Sequence, residues 1–349
     1  ELAAACLQRY ALAGTVIGSA KGAALEQVLL KHPFQARDVA IICGRHVTVE
    51  AGTGLVHTAP AHGTDAYLIG KVYGLPVNNP VGDDGRFVAG TPALGVGELA
   101  GKSVWEANPL VLEELAANGH LLKSEKIQHS YPHCWRHKTP IIFRATTQWF
   151  IGMDHRPTST EAAATPLSEE EPTLRWCAER AVDETRFFPT WGRARLEAMM
   201  RTRPDWCVSR QRNWGVPLPF FLHRETGAPH PRTVELIEAV AQRVEKAGIE
   251  AWFALDAVEL LGAEAEQYRK MSDTLDVWFD SGATHSSVLR GSHRNELAYP
   301  ADLYLEGSDQ HRGWFQSSLL IGCAMDGQAP YKALLTHGFV VDGKGLKMS

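Results

Sequence analysis

The strongest constraint on the fold lies in the last third of the chain. Asp302-Leu303-Tyr304-Leu305 is a short apolar run that stops at Glu306-Gly307-Ser308-Asp309. A helical stretch follows from about Gln310 to Met325, and Ala333 to Val341 reads as a second buried strand. Strand, polar turn, helix, strand is a βαβ unit, which calls for a parallel sheet and an α/β fold class. Such sheets bind ligands beyond the carboxyl ends of their strands, so Glu306 to Asp309 lie where a ligand is expected. A helix N-terminus there also favours phosphate.

The 349 residues predict about two domains. A composition of 44% hydrophobic and 21% charged residues excludes bulk disorder. No apolar run is long enough for a transmembrane helix, and the first residues, Glu1 to Cys6, lack a signal pattern. The start at Glu1 rather than Met reads as a fragment. A net charge of −5 excludes a global polycation and leaves local basic patches open. The six cysteines contain no Cys-x-x-Cys pair, which argues against a thiolate zinc ribbon and for a reducing compartment. Ten tryptophans make some indoles candidate ligand walls.

Residues 1–128 read as a β-rich α+β module. Val39 to Cys43 and His46 to Val49 are the arms of a predicted hairpin around Gly44-Arg45, and Asp84-Gly85 marks a tight turn. Asn108-Pro109 is a predicted helix start and Asn118-Gly119 its stop. Residues 156–172, polar and interrupted by proline, read as a linker or surface excursion. Thr233 to Ala247 is an amphipathic helix with Leu236, Val240 and Val244 on one face and Gly248 as its cap.

Five segments carry candidate chemistry. His57, His62 and Asp65 offer a metal triad, a structural turn, or a pocket with one working histidine. Cys134 and His137 have the spacing of half a metal site. Arginines and tryptophans are interspersed from Arg203 to Trp214, which suits nucleic-acid binding by charge and stacking or a buried arginine–carboxylate network. Glu306 to Phe315 offers acids for an ammonium and a ribose, or simply a capped helix start. The glycines and lysines of Asp342 to Ser349 suit a loop closing over phosphate.

The order of these segments is more specific than any one of them. His57-Thr58-Ala59-Pro60-x-His62-Gly63 comes first, then Ser130-Tyr131-Pro132-x-Cys134-Trp135-Arg136-His137, then Pro204-Asp205-Trp206-Cys207-x-Ser209-Arg210-Gln211-Arg212. Asp276-x-Trp278-Phe279-Asp280-Ser281-Gly282, Glu306-Gly307-Ser308-Asp309-Gln310-His311-Arg312-Gly313-Trp314-Phe315 and Lys347-Met348-Ser349 follow. Over essentially its whole length this series resembles the bacterial isoleucyl-tRNA synthetases, a class I family. The resemblance implies an incomplete Rossmann-type catalytic domain over residues 130–349 and the C-terminal part of an editing domain over 1–129. Connective insertions fall at about 156–175 and 222–272. The family's His-x-Gly-His motif and anticodon-binding domain are expected outside this chain.

The activity implied is activation of isoleucine by ATP, carried as its magnesium complex, and transfer to tRNA(Ile). By matching positions, Glu306 holds the ammonium of the aminoacyl-adenylate, Gln310 lines the same site, and Asp309 with Gly307 holds the ribose. Trp214 and Trp314 wall the isoleucine side chain, and Lys347 belongs to a mobile phosphate loop. The resemblance further implies hydrolysis of mischarged valyl-tRNA, because one methylene changes pocket binding by only about 1–3 kcal/mol, for which isoleucine against valine is itself the standard example. His57 limits the editing pocket. Where the family has an ammonium-holding acid this chain has Ala66, with Asp65 one position earlier. A cytoplasmic monomer without a zinc site or membrane contact is expected. The alternatives are a valyl-tRNA synthetase and a metal-dependent hydrolase using His57, His62 and Asp65.

Overall fold

The computed structural model describes residues 2–50, 52–154 and 173–348, so the predicted excursion at 156–172 lies outside the described residues. The chain divides into two compact units, Glu1–Thr147 and Gln148–Ser349.

The first unit contains helices α1 (Ala3–Arg9), α2 (Thr64–Val72) and α3 (Val104–Ala117), with strands β1 (Leu29–Lys31) and β2 (Asp38–Ala40). Among the described residues its other β structure is limited to isolated bridges such as Val81 with Phe87, less regular ladder than the sequence suggested. The hairpin is also displaced. β2 pairs antiparallel with β1, Leu29 opposite Ala40, and not with residues 46–49. The reason is a side chain: His32 Nδ1 accepts hydrogen bonds from the backbone N–H of Phe34 and Gln35, closing the bend between the strands. Gly44-Arg45 forms only a local turn, with Val47 N–H donating to Gly44 O at 3.1 Å.

Helix α3 begins five residues before the predicted Asn108-Pro109 start. Ser103 accepts from Glu106 N–H and the Glu106 carboxylate accepts from Ser103 N–H, a complete capping box. Pro109 sits inside the helix rather than at its head. The Asn118-Gly119 stop is as predicted, with Gly119 at φ +76°. The unit's small core gathers Leu94, Leu99 and Ala107, flanked by Phe34, Phe87 and Leu110.

The second unit opens with β3 (Phe150–Ile151), α4 (Leu174–Glu184), β4 (Arg186–Phe188) and α5 (Trp191–Arg201). Strands β5 (Trp206–Cys207), β6 (Ser209–Arg210) and β7 (Phe221–His223) follow. Helices α6 (Thr233–Ala247), α7 (Glu250–Ala254) and α8 (Val258–Leu261) lead into β8 (Tyr268–Lys270), β9 (Thr274–Leu275) and α9 (Val277–Gly282). The unit closes with β10 (Tyr304–Gly307), α10 (Trp314–Asp326) and β11 (Ala333–His337).

The predicted βαβ unit is present. β10 and β11 run parallel, Tyr304 opposite Leu334, and β11 pairs in parallel with β4 on its other side. The strand order is β10-β11-β4. Helix α10 covers the sheet with an almost wholly buried apolar run. Phe315 and Leu319 are completely buried and join Leu196, Met200 and Leu334 in one core. Each such side chain contributes roughly 1.5–3 kcal/mol by burial. Residues 221–270 form a satellite: β7 pairs antiparallel with β8, and Phe221, Leu236, Val240 and Trp252 share a separate core. The amphipathic helix there has the predicted bounds, and Gly248 at φ +77° ends it.

Arg175, at the start of α4, holds several chain segments together. Its guanidinium grips both Asp154 oxygens at 2.7 Å and donates to the carbonyls of Met200 at 2.6 Å and Arg203 at 2.7 Å. Carbonyls at the end of α5 thereby gain a side-chain partner beside their backbone ones. Among the described residues no helix is long and apolar enough to cross a membrane.

Candidate active site

The site is built at the carboxyl end of β10. Strand periodicity places Tyr304 and Glu306 on one face and Leu305 and Gly307 on the other. Tyr304 is buried, and burial pushes its hydroxyl up to about 12. Its ring stacks on the indole of Trp314 with centroids 3.9 Å apart and planes 7° apart. Trp314 is fixed at its other edge, where Nε1 donates to Ser281 O at 3.1 Å and Thr284 Oγ1 at 3.2 Å. The exposed Glu306 accepts from Gly307 N–H at 3.2 Å.

A 3₁₀ turn, Ser308–Arg312, then separates the strand from α10. The predicted helix from about Gln310 is therefore broken at Gly313. Gln310 spans the break: its Nε2 donates to Asp309 Oδ2 at 3.1 Å and its Oε1 accepts from Trp314 N–H at 2.9 Å. Glycine is required at Gly313, and at Gly307 only while the Asp309 carboxylate keeps its place. A Cβ on Gly307 would lie 2.8 Å from Asp309 Oδ1, and one on Gly313 would lie 2.6 Å from Gln310 Oε1 and 2.7 Å from the Trp278 ring. His311 is buried beneath the turn, stacked on Trp191, with Nδ1 3.0 Å from Ser308 O. Burial holds its pKa below the usual histidine value.

The third and fourth motif segments meet through one carboxylate. β6 and β9 pair antiparallel, Ser209 opposite Leu275. Asp276 caps α9 through Trp278 N–H, and its Oδ2 accepts from Trp206 Nε1 at 3.0 Å and Arg210 Nη2 at 2.8 Å. The buried-network reading of this arginine–tryptophan segment thus holds for Trp206 and Arg210. Beside Asp276, burial raises the pKa of Asp280. Gly282 lets α9 approach α10, since a Cβ there would lie 2.8 Å from the Ser317 backbone. Asp276 was missed as a hub, although an aspartate heading a helix is a readable capping signal.

The structure therefore brings Glu306, Gly307, Asp309, Gln310 and Trp314 onto one strand-to-helix turn. It does not draw in Trp214, which stands 79% exposed and has no ring contact with Trp314 among the described residues. Lys347 lies in a hairpin: it pairs with Val341, and its ammonium sits 4.0 Å from the Phe339 ring centroid. The second strand accordingly ends at His337 and not at Val341.

In the first unit, His57 and Asp65 are exposed, Asp65 in the first turn of α2. The Pro60–His62 turn lies tightly against α2, since a Cβ on Gly70 would meet the Pro60 ring at 2.8 Å. His62 directs Nδ1 to Phe143 O at 3.0 Å. Among the described residues no group of three or more His, Cys, Asp or Glu side chains is arranged to hold a metal ion, so the triad of His57, His62 and Asp65 does not assemble. Cys134 and His137 meet in a tight turn, Sγ to Nδ1 at 3.4 Å, as a local pair.

Residues 25–349 match the family described as tRNA synthetases class I (I, L, M and V). The chain belongs to the class I tRNA synthetases. It is 76% identical over 349 residues to the isoleucine–tRNA ligase of Dechloromonas aromatica (strain RCB), covering 100% of this chain and 36% of that protein. Identity to the isoleucine–tRNA ligase of Thiobacillus denitrificans (strain ATCC 25259 / T1) is 65%, with the same coverage. The Nitrosomonas europaea ligase is 62% identical, again with 36% of its length covered. The chain thus spans about a third of the length of these class I relatives.

Proposed function

We propose that this chain forms part of an isoleucine–tRNA ligase: the second unit contributes to the synthetic site and the first to an editing site. The observation that carries the reading is the turn from Glu306 to Gln310 at the end of a parallel strand, within a chain 76% identical to such a ligase. In the reaction, a carboxylate oxygen of isoleucine attacks the α-phosphorus of ATP. A P–O bond forms, the bond to the β-phosphate breaks, and pyrophosphate leaves with its electron pair. The terminal hydroxyl of tRNA then attacks the acyl carbon and AMP departs. No side-chain nucleophile is needed, so positioning and charge do the work.

In this reading Glu306 faces the substrate ammonium, Asp309 and Gly307 hold the ribose, and Gln310 lines the pocket. Trp314, fixed by Tyr304 and Ser281, is one rigid wall, and Trp214, exposed in this structure, is the second. Lys347 leaves its hairpin to reach phosphate. His57 bounds the editing pocket, with Asp65 as the nearest acid.

The decisive assay places this chain in a full-length chimera with the D. aromatica ligase. Isoleucine-dependent ATP–pyrophosphate exchange is expected and is lost in Glu306→Ala. Retained exchange removes Glu306 from the site, and exchange driven by valine instead reassigns the substrate. In the same chimera Ala66→Asp is expected to raise hydrolysis of valyl-tRNA; an unchanged rate leaves Asp65 as sufficient.

A further inference from the structure

The half-buried Trp314 is held in three ways. Its ring stacks on Tyr304, its backbone N–H donates to Gln310 Oε1, and its Nε1 donates to both Ser281 O and Thr284 Oγ1. Tyr304 and Glu306 share a face of β10, so the indole stacked on Tyr304 lies on the Glu306 side of the strand. Stacking takes one face of the ring and leaves the opposite one for a ligand. The tilt of that face is set at the far edge, by the two acceptors of Nε1.

Thr284 is the one side chain among those acceptors. A hydroxyl has a single proton, and here it is used on Ser281 O, three residues back, at 2.9 Å. Its lone pairs are left to face the indole N–H, so the contact has one polarity. Branching at Cβ stiffens χ1, and the bond back to the i−3 carbonyl selects one rotamer. The segment that carries both acceptors is tightly packed. A Cβ on Gly282, which lies between them, would stand 2.8 Å from the Ser317 backbone, and His285, next after Thr284, is buried.

We propose that Thr284 is a positioning residue for specificity: by fixing the tilt of Trp314 it sets where the wall stands against the substrate side chain, and so how well isoleucine is told from valine. The proposal rests on the ligase reading for the identity of the substrate. A pocket separates side chains one methylene apart by about 10–200-fold, for which isoleucine against valine is itself the standard example. Only a wall that does not yield keeps that difference. An indole free to tilt follows the smaller side chain, and the difference shrinks.

The anchor is read first, by nuclear magnetic resonance of the chain labelled with nitrogen-15 at its ten tryptophans. The Trp314 indole signal is the one lost in Trp314→Phe. Its proton is expected to exchange with deuterium roughly tenfold more slowly than that of the exposed Trp214. Equal rates overturn the proposal, and this comparison needs no change at Thr284, so it decides even where a variant fails to fold. Thr284→Val keeps the shape and removes the hydroxyl; it is expected to shift this one indole signal and speed its exchange, while Thr284→Ser leaves both near the starting values. In the chimera, Thr284→Val is expected to lower the isoleucine-to-valine ratio of kcat/KM in ATP–pyrophosphate exchange about fivefold. The change lies in the amino-acid KM, the KM for ATP stays, and Thr284→Ser restores most of the ratio. An unchanged ratio overturns the proposal. So does an equal loss in Thr284→Val and Thr284→Ser, or a fall in kcat shared by both amino acids, since either marks a merely structural role. A chimera without isoleucine-dependent exchange counts against the ligase reading, while a Trp314 indole signal indifferent to Thr284→Val still overturns the anchor.

Discussion

The two units differ in how their apolar residues are used. In the second, one core runs from Met153 through Leu196 and Phe315 to Leu334, and α10 is buried along nearly its whole length. In the first, the largest cluster has three buried members, while Val16, Ile17, Leu55, Val56 and Val72 are all exposed. Folding free energy follows buried apolar area. The second unit is therefore held by packing, and the first by local devices such as the capping box at Ser103 and the bend closed by His32.

The sharpest test of this contrast is a pair of truncations. Phe315→Ala is expected to cost about 3–5 kcal/mol, whereas Leu99→Ala, in a thin core free to collapse, falls at the low end of its range, about 2 kcal/mol. Urea unfolding read separately in each unit measures both, and equal losses would break the comparison. Gly282→Ala comes next. Its new Cβ meets the Ser317 backbone, so about 1–3 kcal/mol is expected, seen as faster amide exchange along α10. Ser103→Ala is the smallest, about 1 kcal/mol. Faster exchange confined to the α3 amides is the expected sign, and protection unchanged there would mean that packing, not capping, holds the first unit.

What could be read from the sequence divides along the same line. The β10–α10–β11 unit was legible because its pattern is contiguous and each element shows its own period. β4 was not: three residues, Arg186 to Phe188, carry little pattern, and their partner β11 lies far along the chain. The break at Gly313 was hidden because a single glycine in an apolar run reads as tolerated, and only the Trp278 ring lying against it shows the need. Asn108-Pro109 displaced the true start of α3 because proline is the louder signal, although Ser103 and Glu106 carried the capping pattern. At the site, residues within one turn were recoverable together. Trp214 and the Asp276 hub depend on long-range pairing that spacing does not encode.

The grip of Arg175 on Asp154 has a consequence for how this chain tolerates change. The two residues stand 21 positions apart in the chain, and their bidentate pair joins the chain just after β3 to the start of α4. The carbonyls at the end of α5 therefore depend on Asp154 as much as on Arg175: without the acid to orient it, the guanidinium would be free to turn away from Met200 and Arg203.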